Sequence, residues 1–266
     1  MTARRVAPRR PPLPVLIPAA IGVALMTVPF VGLLSRTPWG ELGSLLADPF
    51  VAAALRLSVV TSLAATAISL LIGVPMAWLL ARARFRGRAL LRGIILLPMV
   101  LPPVVGGAAL LFALGRRGLV GQWLDRQLGI LLPFSTWGVI VAATFIAVPF
   151  LVITVEAGLR SADLRFEEAA ATLGASPLTV LRRVTLPMAW PSIAAGAVLA
   201  WARALGEFGA TITFAGNLEG RTQTMPLAVF QALESDRDAA IAISLVMVAV
   251  SLAVLVALRD RWFRVG

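Results

Sequence analysis

Six long apolar runs recur along this 266-residue chain and constrain its fold more than any other feature. Each run has about 18 residues or more, which as a helix is enough to cross the roughly 30 Å hydrocarbon core of a bilayer. The predicted spans are 14–34, 54–81, 93–114, 138–158, 190–216 and 240–258. The sequence therefore predicts an all-α polytopic membrane protein with six transmembrane helices. A basic tail over 1–13 precedes a single transmembrane domain over 14–266.

The side-chain inventory excludes most enzyme chemistries. Hydrophobic residues make up 59% of the chain and charged residues 14%, with a mean hydropathy of +0.90. There is no Cys and no His, which removes thiolate nucleophiles, thiolate zinc sites and the side chain that titrates near neutral pH. All 24 basic residues are Arg, so the chain lacks the Lys that holds phosphates in a Walker A loop. We expect no catalytic residue, no metal site and no cofactor bound by this chain.

The arginines are distributed unequally between the segments that connect the spans. With the N-terminus in the cytoplasm, 16 arginines lie in inner segments and 6 in outer segments. This bias follows the positive-inside rule and predicts that both termini are cytoplasmic. It also places the loop 159–189 in the cytoplasm. The net charge of +11 is mostly this topological bias, and it does not indicate nucleic-acid binding.

The loop 159–189 contains a knob, which we define as residues 163–187. Residues 163–173 predict a short amphipathic helix, and Gly174 permits the positive φ that ends it. Ser176-Pro177 is then typical of an N-cap followed by proline at the first helical position. The pattern predicts a helix-turn-helix that inserts into a groove on a partner. A helix lying on the lipid surface is the alternative.

The fifth span carries two charges. Arg203 and Glu207 lie four residues apart, and each isolated charge at mid-bilayer costs roughly 2.5–3.5 kcal/mol on insertion scales, so neither is expected to face lipid. The pattern favours a polar route along this face, and a pair that only neutralises itself inside the bundle is the alternative. Ala202, Gly206 and Ala210 repeat at the same spacing, which predicts close helix packing along their stripe.

The third span is interrupted by three prolines. Pro98, Pro102 and Pro103 each remove a backbone donor, and Gly106-Gly107 follows. Such a break either shapes a central passage or serves packing alone, and the sequence leaves both readings open. Before this span, the arginines between Arg82 and Arg92 predict an anchor at the anionic inner leaflet. Glu156 and Arg160 are four residues apart and predict a local pair.

The spacing within the knob resembles the EAA loop of ABC-transporter membrane subunits. Glu168-Ala169-Ala170 is followed after three residues by Gly174, and after nine more by Val184, one residue and Leu186-Pro187. In that family the loop is the cytoplasmic surface that docks on a separate ATP-hydrolysing subunit. The resemblance implies that ATP hydrolysis is coupled to transport through Glu168, Ala169, Ala170, Gly174, Leu186 and Pro187.

Further segments are similar to molybdate ABC permeases, namely 97–107, 172–176, 202–211, 214–217 and 221–227. This resemblance implies a MetI-like importer permease in a bacterial or archaeal cell (inner) membrane, working as a homodimer. It implies two ATPase subunits below the permease, which use ATP and Mg²⁺, and an extracytoplasmic substrate-binding protein above it. Molybdate would then cross by alternating access at the dimer interface, past Arg203, Gly206 and Glu207.

Other functions fit parts of the pattern. The same type of importer for sulfate or tungstate is the nearest, because similar tetrahedral dianions are not distinguished by helix composition. A permease for a different solute, such as phosphate or an amino acid, is a second alternative. A stand-alone channel or a membrane enzyme is a third, and it would make no use of the EAA spacing.

Overall fold

The computed structural model of the chain describes residues 13–262, and all regular structure in that range is helical. The predicted tail, apart from Leu13, lies outside the described residues. In chain order the helices are α1 (Leu13–Ser35), α2 (Leu42–Leu46), α3 (Pro49–Arg82), α4 (Arg88–Val100), α5 (Pro103–Leu114), α6 (Gly121–Leu128), α7 (Thr136–Ser161), α8 (Arg165–Thr172), α9 (Pro177–Val180), α10 (Leu186–Leu205), α11 (Gly209–Phe214), α12 (Met225–Ser235) and α13 (Arg237–Trp262).

Within residues 13–262, five helical segments are long and apolar enough to cross a membrane: 13–35, 49–82, 136–161, 177–205 and 237–254. Four of them match the predicted spans 14–34, 54–81, 138–158 and 240–258 to within a few residues, and the segment 177–205 overlaps the predicted span 190–216 only in part. The predicted span 93–114 is broken, as its prolines indicated, into two helices, α4 and α5, which are bent by 119° relative to each other. The break falls where the sequence has two consecutive prolines, because Pro102 and Pro103 have no N–H to donate and Leu101 and Pro102 adopt extended backbone.

Helix α7 lies at the centre of the bundle. Of an apolar 18-residue segment of this helix, 72% is buried within this chain. Helix α3 presents a stripe of small buried residues to the core, namely Ala65, Ser69, Gly73 and Ala77. A Cβ added at Gly73 would lie 2.5 Å from Leu151 Cδ2, and one added at Gly196 of α10 would lie 3.3 Å from the Leu151 carbonyl oxygen. Small residues thus let α3 and α10 both approach α7 closely at Leu151, as is usual where packing drives helix association in a membrane.

The predicted fifth span, 190–216, is not one helix. Its helix begins earlier, at Pro177 in the knob, and ends at Leu205. A π turn over 181–185 joins α9 to α10, and the Leu186 N–H bonds to the Leu181 carbonyl five residues earlier. After a break at Gly206, the chain turns into the short α11. The prediction that Ala202, Gly206 and Ala210 form a stripe on one helix is therefore wrong: Ala202 and Gly206 are exposed at the end of α10, and Ala210 belongs to α11.

The break in the fifth span rests against the break in the third. A Cβ added at Gly107 of α5 would lie 2.8 Å from the Ala210 carbonyl oxygen, and one added at Gly209 would lie 2.8 Å from Pro103 Cβ. Helix α11 packs along α5 through these glycines, and Phe214 is fully buried beside Leu110 and Ile146. The two broken spans form one joint, which we call the α5–α11 joint.

Candidate functional site

The turn of the knob is a Schellman motif centred on Gly174. Helix α8 ends at Thr172, and Gly174 has a φ of +83°. The Gly174 N–H bonds to the Ala171 carbonyl at 2.9 Å, and the Ala175 N–H bonds to the Ala170 carbonyl at 3.1 Å. These are the two crossed bonds that satisfy the last carbonyls of a helix when the residue after its cap is left-handed. The predicted role of Gly174 in ending the helix is confirmed.

The second half of the knob begins as predicted but continues further. Ser176 is the N-cap of α9, its Oγ accepts from the Thr179 N–H at 3.3 Å, and Pro177 follows in the first turn. The helix from Pro177 to Leu205 has 29 residues and a length of about 43 Å. Leu186 and Pro187 therefore lie inside a continuous helix, directly after the π turn. No loop separates the knob from the membrane-spanning helix on this side.

The surface of the knob is exposed and partly apolar. Glu168, Ala169 and Gly174 are exposed, and Ala170 is half-buried. Apolar side chains beside them are also uncovered: Leu173 is 88% exposed, and the further members of this set are Leu164, Phe166 and Leu178. The sequence-based interpretation did not single out these four residues. Large apolar side chains interleaved with the charges of a loop were the signal, since such side chains on a loop indicate a surface that a partner covers.

An ion pair fixes the knob to the membrane bundle. Arg82, the last residue of α3, places Nη2 at 2.8 Å from Oε1 of Glu167 in α8. Both side chains are largely buried, which limits screening of the pair by solvent. The prediction that Arg82 anchors to the inner leaflet is therefore wrong, because its guanidinium contacts a carboxylate of the same chain. The knob is held by a helix at its end and by this pair at its start.

A second buried carboxylate joins two arginines. Glu156 in α7 is almost fully buried and contacts Arg160, which confirms the predicted local pair. Its other oxygen, Oε2, lies 3.2 Å from Nε of Arg92 in α4. Arg92 was also predicted to face the inner leaflet; its side chain contacts Glu156 and is still 43% exposed, so that prediction stands beside the ion pair. Buried carboxylates need such partners because an unpaired charge away from water is costly.

Glu207 connects the end of α10 to the α5–α11 joint. Its Oε2 lies 2.6 Å from Arg203 Nη1, and its Oε1 accepts from the Ala210 N–H at 2.8 Å. The Glu207 side chain is 1% exposed and that of Arg203 is 26% exposed. The predicted pair is present, and Glu207 also stabilises the first turn of α11 by accepting the hydrogen bond from Ala210.

The predicted residues form two groups at opposite ends of one helix. Glu168 to Gly174 lie on the knob before the helix begins at Pro177, and Arg203 to Glu207 lie where it ends. Gly206 borders an open cavity of about 450 Å³ whose other lining residues include Phe208, Phe230 and Met247. The rings of Phe208 and Phe230 lie 5.2 Å apart. The 29-residue helix thus connects the knob directly to this cavity.

The apolar helices, the two broken spans and the exposed knob define an ABC importer permease fold. Residues 69–265 match the family of binding-protein-dependent transport system inner membrane components. The match covers most of the chain, and the protein belongs to this family.

Several relatives of known name are similar over most of their length. A molybdenum transport system permease protein, ModB, of Mycobacterium tuberculosis is 48% identical over 247 residues, 93% of each chain. The ModB of Escherichia coli K12 is 42% identical over 218 residues, which is 82% of this chain and 95% of the relative. The sulfate transport system permease protein CysT of Salmonella typhimurium is 38% identical over 234 residues, 88% and 84% of the two chains.

Solved structures share the fold. A bacterial ABC transporter involved in the import of the acidic polysaccharide alginate aligns with a TM-score of 0.73 at 21% identity, covering 95% of both chains. The MetNI methionine ABC transporter in an inward-facing conformation aligns with a TM-score of 0.59 at 19% identity, covering 79% of this chain and 95% of that one. At these identities the likeness shows the fold alone.

Proposed function

We propose that this chain is the permease subunit of an ATP-driven importer that moves molybdate into the cytoplasm by alternating access at a homodimer interface. The choice of molybdate is supported by identities of 40 to 48% to permeases named for molybdenum transport. The coupling mechanism is carried by one observation, the continuous helix from Pro177 to Leu205 that joins the knob to the break at Gly206.

In this proposal the knob receives the movement of the ATPase subunit. Leu164, Phe166 and Leu173 provide an apolar contact surface, and Glu168, Ala169 and Ala170 lie between them on a narrow helix face. The Arg82–Glu167 pair and the helical connection without a loop after Ser176 make the knob move with α3 and α10 as a unit. A displacement of the knob then reaches Gly206 without being absorbed by a flexible segment.

The cargo route is proposed to follow the exposed face at the end of α10. Ala202 and Gly206 are small and uncovered in the single chain, so a second copy of the chain can approach there or leave space for an anion. Arg203 supplies positive charge whose field is moderated by Glu207, and this balance lets a dianion pass without being retained. Alternating access would open and close this face at the α5–α11 joint.

The proposed assembly contains two copies of this chain, two ATPase subunits and an extracytoplasmic substrate-binding protein. One solved structure of the same fold contains a periplasmic protein bound to its transporter, which supports the last partner. ATP and Mg²⁺ belong to the ATPase subunits, and this chain contributes no site for them. Both termini are proposed to lie in the cytoplasm of a bacterial or archaeal cell.

The membrane orientation has a direct test because the chain contains no Cys. A single cysteine introduced at Arg84 or Leu173 is expected to react with a membrane-impermeant maleimide only from the cytoplasmic side. A cysteine at Glu219 is expected to react only from the outside. The reverse labelling pattern would contradict the proposed orientation.

The decisive functional experiment measures ATP hydrolysis by the permease reconstituted with its ATPase subunit in proteoliposomes. Binding protein loaded with molybdate, tungstate or sulfate is added in turn, with unloaded binding protein as the control. Stimulation by the molybdate-loaded protein above the others is expected. If the ATPase subunit does not associate with the permease, the role of the knob is refuted.

Sulfate import is the second candidate, and the 38% identity to CysT is the observation that favours it. Molybdate and sulfate are tetrahedral dianions, so a passage built from one Arg–Glu pair does not separate them strongly. Selectivity is then expected to reside in the binding protein. Stimulation by the sulfate-loaded protein alone would replace molybdate with sulfate while leaving the coupling mechanism in place.

A further inference from the structure

A basic cavity lies away from both the knob and the Arg203–Glu207 pair, where the first turns of α4 meet the end of α7. It is open, has a volume of about 610 Å³, and is lined by Arg88, Ala89, Arg92, Gly93, Leu96 and Arg160. This volume falls within the ~300–1,000 Å³ typical of small-molecule sites. The proposed cargo route does not account for it.

The cavity contains more positive charge than its own carboxylate neutralises. Glu156 contacts both Arg92 and Arg160, so one carboxylate faces two guanidinium groups. Arg88 takes part in none of the ion pairs found between residues 13 and 262. The side chains of Arg92 and Arg160 are 43% and 44% exposed, so each retains N–H donors for a ligand. The site is suited to an anion.

The opposite end of the cavity is apolar. Arg88, Arg92 and Leu96 are spaced by four residues on one face of α4, so Leu96 lies about 12 Å from Arg88 along the helix axis. A Cβ added at Gly93 would meet no atom within 4 Å, which means that the floor between the two ends is open. Leu90 and Ile94 of the same helix are exposed, as expected for side chains that face lipid. A ligand that fills the cavity therefore needs an anionic end and an apolar end.

We propose that this cavity binds an anionic phospholipid. Its phosphate contacts Arg88, Arg92 and Arg160, and one acyl chain lies over Gly93 against Leu96. With the orientation proposed above, the arginines lie at the cytoplasmic surface, where basic pockets between transmembrane helices bind such headgroups. A free oxyanion would use the charged end and leave the apolar end in contact with water. The bound lipid joins α4 to α7 and so steadies the first half of the broken third span.

The test uses the complex of permease and ATPase subunit in mild detergent. Phosphatidylglycerol or phosphatidylcholine with identical acyl chains is added, and native mass spectrometry counts the lipids retained. Stronger retention of phosphatidylglycerol is expected, and Arg88→Gln is expected to weaken it about fivefold. Arg86→Gln is the matched control, because it removes the same charge from an exposed position outside the cavity. Equal retention of both lipids, or equal loss in both variants, would overturn the proposal.

A second variant removes the acyl site without changing the charge. Gly93→Leu places a side chain in open space, so the helix is expected to fold and phosphatidylglycerol retention to fall. Parallel samples contain inorganic phosphate or molybdate instead of lipid, and their thermal unfolding midpoints are measured. A rise in midpoint that Arg88→Gln removes and Gly93→Leu does not, without lipid retention, would identify a free-oxyanion site and overturn the lipid assignment. Cargo-stimulated ATP hydrolysis of the same samples tests the proposed transport function separately.

Discussion

The knob and the α5–α11 joint occupy opposite ends of one helix and are built in opposite ways. The knob is exposed, and its turn is stabilised by neighbours in sequence: the Schellman bonds at Gly174 and the Ser176 cap. The joint is buried, and it is stabilised by contacts between residues far apart in the chain, such as Gly107 with Ala210. The exposed knob is therefore suited to contact another protein, whereas the buried joint holds two helices of the membrane bundle against each other.

The largest effect is expected from Glu207→Ala at the joint. The substitution leaves Arg203 without its carboxylate and the Ala210 N–H without its acceptor. Breaking a buried pair from one side costs about 3–5 kcal/mol, so expression in the membrane and the thermal unfolding midpoint should both fall. Glu207→Gln keeps an acceptor for Ala210 and is expected to recover part of the stability. Normal expression and uptake in the alanine variant would show that the pair is incidental.

A smaller loss is expected from Gly107→Ala, which tests the packing of the joint. The added methyl group would lie 2.8 Å from the Ala210 carbonyl oxygen, so α5 and α11 must separate. Overpacking of this kind costs about 1–3 kcal/mol and should lower the unfolding midpoint together with uptake. Gly22→Ala in α1 is the matched control, since its Cβ would meet nothing within 4 Å. Similar unfolding midpoints in the two variants would mean that α5 and α11 can separate with little loss of stability.

In the knob, Gly174→Val is expected to reduce transport much more than stability. Valine disfavours the φ of +83°, at a local cost of about 1–2 kcal/mol, but its Cβ meets no neighbour. The variant should insert normally and fail to couple ATP hydrolysis to uptake. Gly174→Asn tolerates the left-handed conformation and should retain most uptake. Unchanged uptake in the valine variant would remove the coupling role assigned to the turn.

The smallest effect is expected from separating the knob from α3. Arg82→Gln removes the charge from the pair with Glu167 but keeps an amide that can donate to the carboxylate, so the expected loss of stability is about 1 kcal/mol. The ratio of ATP hydrolysed to molybdate imported should rise because the knob moves with less constraint. The exchanged variant Arg82→Glu with Glu167→Arg should restore the ratio. If it does not, the two residues act independently, and the Arg82–Glu167 pair has no part in coupling.

Sequence reasoning succeeded where a structure depends on adjacent residues. The end of α8 at Gly174, the cap at Ser176 and the Glu156–Arg160 pair are all local, and each was predicted. The break at Pro102-Pro103 was predicted for the same reason, because proline acts on its own turn of helix. Reasoning failed where the partner lies far away in sequence. Arg82 and Glu167 are 85 positions apart, and the composition of 82–92 indicated a lipid anchor instead.

The chain's sequence alone determined that this is an all-α membrane protein with apolar spans and a helix-turn-helix knob. Hydrophobic length, proline positions and capping residues act locally, and their effects are the same in any surrounding. Only the tertiary structure decided that the fifth span ends at Leu205, that α11 rests on α5, and that Glu207 links the two. These features arise because Gly107 and Gly209 let two backbones approach closely, and such an approach depends on where the whole bundle places them.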